Sequence, residues 1–163
     1  MRLMIQLLFL MTLFTFPTTF FASPRPQSAP NIVITAAPSA EKVQRGRTVQ
    51  ATVVMDIPSG FHVNSNRPLE KFLIATQLRI DPAKGIRVGP VSYPRPVLRN
   101  FEFSKNHVSV YEGRATMRFK VTVPANFSSG PTELKVHLRY QSCNDEVCFP
   151  PQTRDVSLWL KVE

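Results

Sequence analysis

The chain reads as an all-β protein, an immunoglobulin-like antiparallel β-sandwich. Apolar and polar residues alternate with the two-residue period of a strand over several runs. Fifteen prolines in 163 residues, and the lack of any long helical pattern, argue against a helical or α/β architecture. Turn signals at Pro58-Ser59-Gly60, Asp81-Pro82 and Ser129-Gly130-Pro131 cut the runs into seven or eight short strands, the number such a sandwich uses.

Residues 1–23 have the pattern of an export signal. Arg2 supplies the positive start, Leu3 to Phe16 is almost continuously apolar, and Pro17-Thr18-Thr19 breaks the run before the small residues Ala22 and Ser23. An uncleaved N-terminal anchor is the alternative. No cysteine lies near the end of this segment, which excludes a lipid-modified cysteine there. Residues 24–30 are a Pro/Ser linker without periodicity. Residues 31–163 then form one domain, large enough for a real core. No other apolar run approaches membrane-spanning length. The expectation is an exported protein, with no integral membrane domain once the signal is cleaved, in a compartment where disulfides form.

Within the domain, Val49, Ala51, Val53 and Met55 share one face of the first strong strand. Met117, Phe119, Val121 and Val123 form a second inward row. Leu134, Val136, Leu138 and Tyr140 form a third, opposite Lys135, His137 and Arg139. Val156, Leu158, Leu160 and Val162 form a fourth. Weaker candidates are Asn31 to Ala36, Phe61 to Asn64, Phe72 to Ile80 and Ile86 to Tyr93.

The formal charge is +9. The basic residues are scattered, many on outward strand positions, with no arginine-rich block and no recognition-helix pattern. This speaks against a nucleic-acid partner and for attraction to anionic membrane surfaces or acidic partners.

The chemistry concentrates at Tyr140-Gln141-Ser142-Cys143-Asn144-Asp145-Glu146-Val147-Cys148-Phe149-Pro150-Pro151, which holds both cysteines of the chain. Tyr140 ends one strand pattern and Arg154 begins the next, so the cysteines flank a hairpin turn with Asn144 to Val147 at its tip. A disulfide across so short a loop stabilises by only about 2 kcal/mol in the chain-entropy estimate. Reversible thiol–disulfide exchange is the better reason for this spacing, since a pair facing across adjacent strands is often strained and easier to reduce. A purely structural staple is the rival reading. Two cysteines and the dispersed His62, His107 and His137 do not make a four-ligand zinc site. They make no Cys-His protease arrangement either. No metal and no bound cofactor are expected.

These residues resemble the N-terminal periplasmic domain of DsbD, the bacterial thiol–disulfide reductase. The likeness rests on Tyr140-Gln141-Ser142-Cys143 and Cys148-Phe149-Pro150-Pro151. Supporting matches are Glu102-Phe103, Val110-Tyr111-Glu112-Gly113 and Gly60-Phe61-His62-Val63-Asn64. The resemblance spans roughly Asn31 to Glu163. It implies a domain that takes electrons from a thioredoxin-like protein or domain. It would pass them to a periplasmic disulfide isomerase or to cytochrome-maturation thiol proteins.

The resemblance also implies site residues. Cys148 would form the mixed disulfide with partners and Cys143 would resolve it. Phe103, with Glu102 beside it, would cap the pair until a partner docks, and Phe101 is the competing choice. His62 and Asn64 would flank the site, where an imidazole near the thiols favours the thiolate. Asp145 and Glu146 would act in the opposite sense. Tyr140 and Phe149 belong to the motif itself. The membrane and thioredoxin-like domains of that family do not follow Glu163, so the expectation is a separate donor or a stand-alone relative with different partners. The alternative function is a non-catalytic binding or assembly domain with a structural disulfide.

Overall fold

The computed structural model describes residues 28–83 and 85–163. The expected export signal, residues 1–23, and most of the linker lie outside the described residues. Among the described residues the chain forms twelve β-strands and no helix. No described helix is long and apolar enough to cross a membrane.

Two large sheets make the sandwich. The first holds β1 (Val33–Pro38), β3 (Thr48–Asp56), β9 (Arg114–Thr122) and β6 (Arg87–Val88), in the order β1-β3-β9-β6. The second holds β2 (Lys42–Val43), β12 (Gln152–Val162), β10 (Gly130–Tyr140) and β5 (Gln77–Asp81), in the order β2-β12-β10-β5. Pairing in these sheets is antiparallel except between β2 and β12. The alternation read from the sequence is the burial pattern of the strands. Ala51, Val53, Met55, Met117 and Val121 from one sheet meet Leu134, Val136, Leu138, Leu158 and Leu160 from the other in one continuous core. Burying such side chains contributes about 1.5–3 kcal/mol each, so this core is the main source of stability.

A third, smaller sheet carries β11 (Ser142–Cys143), β4 (His62–Asn64), β8 (Val108–Tyr111) and β7 (Val97–Arg99), in the order β11-β4-β8-β7. Val63 and Tyr111 of this sheet belong to the main core. The rest of its apolar packing is a separate, small cluster: Leu73, Val108 and Val110, with Phe101, Phe103 and Cys148 packed on them.

Two weaker strand candidates are shorter than the sequence pattern suggests. Of Phe72 to Ile80, only the last part pairs, because Leu73 donates its N–H to Glu70 and Ile74 donates to the Gln141 side chain. Of Ile86 to Tyr93, only Arg87–Val88 forms a strand, with Ser92 bridging to Arg118 beyond it. Pro90 has no N–H to offer a ladder.

Candidate functional site

β10 and β12 pair from Gly130↔Val162 to Tyr140↔Gln152. Past Tyr140 the hairpin does not continue in that sheet. Gln141 is a corner, and β11 crosses to pair with β4, placing Ser142 opposite Val63 and Cys143 opposite His62. The motif residue Gln141 holds this corner with its amide. Its Oε1 accepts from Asn64 Nδ2 and from the Ile74 N–H, both at 3.0 Å. Its Nε2 donates to the Phe149 carbonyl at 3.2 Å. One side chain thus ties β4, the loop before β5 and the residue after Cys148 to one point.

Tyr140 is fully buried in the main core and donates its hydroxyl to Gln152 Oε1 at 3.2 Å. Phe149 is buried, donates its N–H to the Ser142 carbonyl at 2.9 Å, and lies 6.1 Å from the Phe61 ring.

Cys143 and Cys148 are joined in a disulfide, with Cα atoms 4.0 Å apart. The turn between them is closed by Asn144. Its N–H donates to the Val147 carbonyl at 2.9 Å, and its Oδ1 accepts from the Glu146 and Val147 N–H groups at 3.0 and 2.7 Å. A tight two-residue hairpin usually needs positive φ in its tip. No non-glycine residue described here has one, and the Asn144 side chain takes over the closing hydrogen bonds.

The two cysteines differ in burial. Cys143 is 0% exposed, whereas Cys148 is partly exposed and packs on Leu73, Val108 and Val110.

The segment between β7 and β8 packs on the same small cluster as Cys148. Its turn is held by the Ser104 N–H donating to the Phe101 carbonyl at 3.1 Å, which leaves Glu102 exposed at the tip. Phe101 stacks on the His62 imidazole with ring centres 3.9 Å apart and planes 13° from parallel. Phe103 stacks on Phe101 at 5.2 Å and 6°, and lies 6.3 Å from His62. Both phenylalanines of this segment pack on the cluster against which Cys148 also packs. Two contacts moor it: Asn106 Nδ2 donates to Glu70 Oε1 at 2.6 Å, and Arg99 forks onto both oxygens of Glu112 at 2.9 and 2.8 Å.

His62 and Asn64 are both buried. Burial pushes the His62 pKa down to about 4, partly opposed by the negative charges of Glu112 and Asp145. The imidazole is therefore neutral at neutral pH. Its Nε2 and the Oδ1 of Asn64 are buried side-chain atoms without a hydrogen-bond partner. His137 stands apart on the second sheet, between Asp155 and Asp81 at 2.7 and 3.1 Å. Among the described residues no cluster of three or more His, Cys, Asp or Glu side chains could hold a metal ion.

The sequence brought Cys143, Cys148, Phe101, Phe103, His62 and Asn64 to attention, and the fold gathers them. It gave no separate role to Gln141, although the motif contains it, and it placed Leu73 only within a weak strand candidate.

The family model for the N-terminal region of thiol:disulfide interchange protein DsbD matches residues 34–159. Similar solved structures include the reduced N-terminal domain of DsbD from Neisseria meningitidis. It is 20% identical, with 78% of this chain and 85% of that chain covered and a TM-score of 0.49. The N-terminal periplasmic domain of ScsB from Proteus mirabilis is 16% identical, with 80% and 45% covered and a TM-score of 0.49. A type I cohesin of ScaB from Pseudobacteroides cellulosolvens is 9% identical, with 80% and 92% covered and a TM-score of 0.48. No curated protein sequence matches the chain. The family match spans the sandwich, the cover segment and the cysteine hairpin, and this chain belongs to the DsbD N-terminal domain family.

Proposed function

We propose that this protein is an exported thiol–disulfide exchange module that relays electrons between thioredoxin-like partners through Cys143 and Cys148. Residues 1–23 direct export to the periplasm, residues 24–30 are a linker, and residues 31–163 are the working domain. The observation that carries the reading is the Cys143–Cys148 disulfide, with one cysteine buried and the other partly exposed on the small cluster that also holds Phe101 and Phe103. A partner thiolate attacks the accessible Cys148 sulfur and the Cys143 sulfur leaves. In the other direction the Cys148 thiolate attacks a partner disulfide and Cys143 resolves the mixed disulfide. Phe101 and Phe103 shield the bond from water and small thiols until docking displaces them. Tyr140, Gln141 and Phe149 hold the hairpin in place through both redox states.

The test is trapping with a purified thioredoxin-like protein carrying a disulfide. Reduced Cys143→Ser protein should accumulate a mixed disulfide on Cys148, and reduced Cys148→Ser should trap little. Equal trapping by both variants would reject the assignment of roles. No trapping by either, together with a reduction potential below about −300 mV, would place the bridge with structural disulfides.

A further inference from the structure

The His62 imidazole has two properties that packing alone does not require. It is 3% exposed, and its Nε2 has no hydrogen-bond partner while the cysteines are joined. Buried polar atoms are seldom left in this state, because an unmade hydrogen bond in an apolar site is costly. The pairing of β4 with β11 puts His62 directly opposite Cys143. Residues directly opposite in an antiparallel ladder project to the same face, with Cβ atoms about 5 Å apart. In the disulfide the Cys143 sulfur carries no proton to offer. In the dithiol it carries an S–H, a donor that the neighbouring acceptor lacks in the oxidised protein.

We propose that His62 Nε2 accepts the proton of the Cys143 thiol and so makes Cys143 the resolving nucleophile. This rests on the exchange reading given above and assigns its proton transfer. The steps balance as follows. The Cys148 thiolate attacks a partner disulfide, forming a Cys148–partner bond and releasing one partner sulfur as a thiolate, which takes a proton from water. His62 Nε2 then removes the Cys143 proton. The Cys143 sulfur attacks Cys148 Sγ, so the Cys143–Cys148 bond forms and the Cys148–partner bond breaks. The electron pair leaves on the partner's second sulfur, which recovers the proton from the imidazolium directly or through water. The partner disulfide is reduced to a dithiol and the cysteine pair is oxidised to a disulfide.

The surroundings suit a base that must act while buried. Burial keeps the imidazole unprotonated in the resting protein. The charged groups that face it are Glu112, at the end of β8 and paired to Arg99, and Asp145 in the hairpin tip. Both line an open cleft with His62 and Phe101. Their negative charge favours the transient imidazolium. Phe101, stacked on the imidazole with ring centres 3.9 Å apart, fixes its plane.

The test uses the reduced full chain and the disulfide probe 5,5′-dithiobis(2-nitrobenzoate). Attack by Cys148 releases one coloured thiolate, and resolution by Cys143 releases the second. The readout is the ratio of second-step to first-step rate across pH 5–9. In the wild type the second step should be nearly flat from pH 5 to 8. In His62→Phe, which keeps an aromatic ring against Phe101, and in His62→Gln, which keeps a polar side chain, the ratio at pH 7 should fall roughly 100-fold, within the range of general-base effects. The second step should then rise about tenfold per pH unit and approach the wild-type rate where the thiol ionises unaided, near its ordinary pKa of about 8.5. An unchanged ratio in both variants overturns the proposal, and so does an equal loss in both steps, which would mark His62 as cover packing only. A failure to trap thioredoxin-like protein alongside a lowered ratio would remove the relay reading and leave the proton transfer standing.

Discussion

The sandwich and the small third sheet are built to different standards. Between the two large sheets lies a continuous core that includes Met55, Met117, Leu134, Leu138, Leu158 and Leu160. The third sheet has a separate core of three buried residues, Leu73, Val108 and Val110, finished by two partly buried phenylalanines and a cysteine. Among the described residues, the two buried side-chain atoms that lack a hydrogen-bond partner, His62 Nε2 and Asn64 Oδ1, are on β4 of that sheet. Stability is concentrated in one region. The other is thinly packed and polar inside, the kind of packing found in regions that open locally. The difference shows that the exchange site is carried by the sandwich without sharing most of its packing.

The largest effect should come from damaging the sandwich. Leu138→Ala should lower the unfolding free energy by about 2–5 kcal/mol, read from the urea midpoint. Reduction of the bridge by dithiothreitol under native conditions should stay near the wild-type rate. Leu73→Ala should cost less and should change that reduction rate. Equal stability losses at the two positions would break the comparison.

A smaller loss of stability and a larger kinetic effect are expected at the cover. Phe101→Ala and Phe103→Ala should each speed reduction by dithiothreitol several-fold, with a stability loss below the roughly 3–5 kcal/mol of a fully buried Phe→Ala. Phe101 should give the larger change, because its ring is the one stacked closely on His62. An unchanged reduction rate with a core-sized stability loss would make these rings ordinary packing.

The comparison is also sharpened by pH. The folded His62 titrates near 4, and an unfolded histidine near 6.5. Between these values the unfolded chain binds more protons, so stability rises with pH across that window and falls as acid is added. His62→Gln should flatten the dependence of the urea-unfolding free energy between pH 4 and 6.5. A variant as steep as the wild type would show that another group sets the slope.

Much of the sandwich was legible because burial on one face of a strand forces alternation. Val49 to Met55, Met117 to Val123 and Leu134 to Tyr140 announce both their strands and their inward faces. The cysteine hairpin was legible through its turn residues and spacing. The switch of β11 to the third sheet was not, because a side-chain amide at Gln141 makes the corner and leaves no periodic trace. Leu73 was read within a strand pattern, whereas its neighbours' N–H groups are used in a turn and by Gln141. Phe101 and Phe103 were competing choices because the match to the family is loose around this loop, and the two rings stack on each other at 5.2 Å.

The cysteine turn is held by bonds that do not involve sulfur: the Asn144 amide, the Phe149 N–H to Ser142, and the Gln141 amide to Phe149. None of these bonds depends on the sulfur–sulfur bond, so they can persist after reduction and keep each thiol beside the other at a high effective concentration. That concentration is the equilibrium constant for closing the bridge against an external thiol, and each tenfold change in it is worth about 30 mV. The reduction potential of the pair is thus set partly by amide hydrogen bonds, and residues that never touch a sulfur atom can tune it.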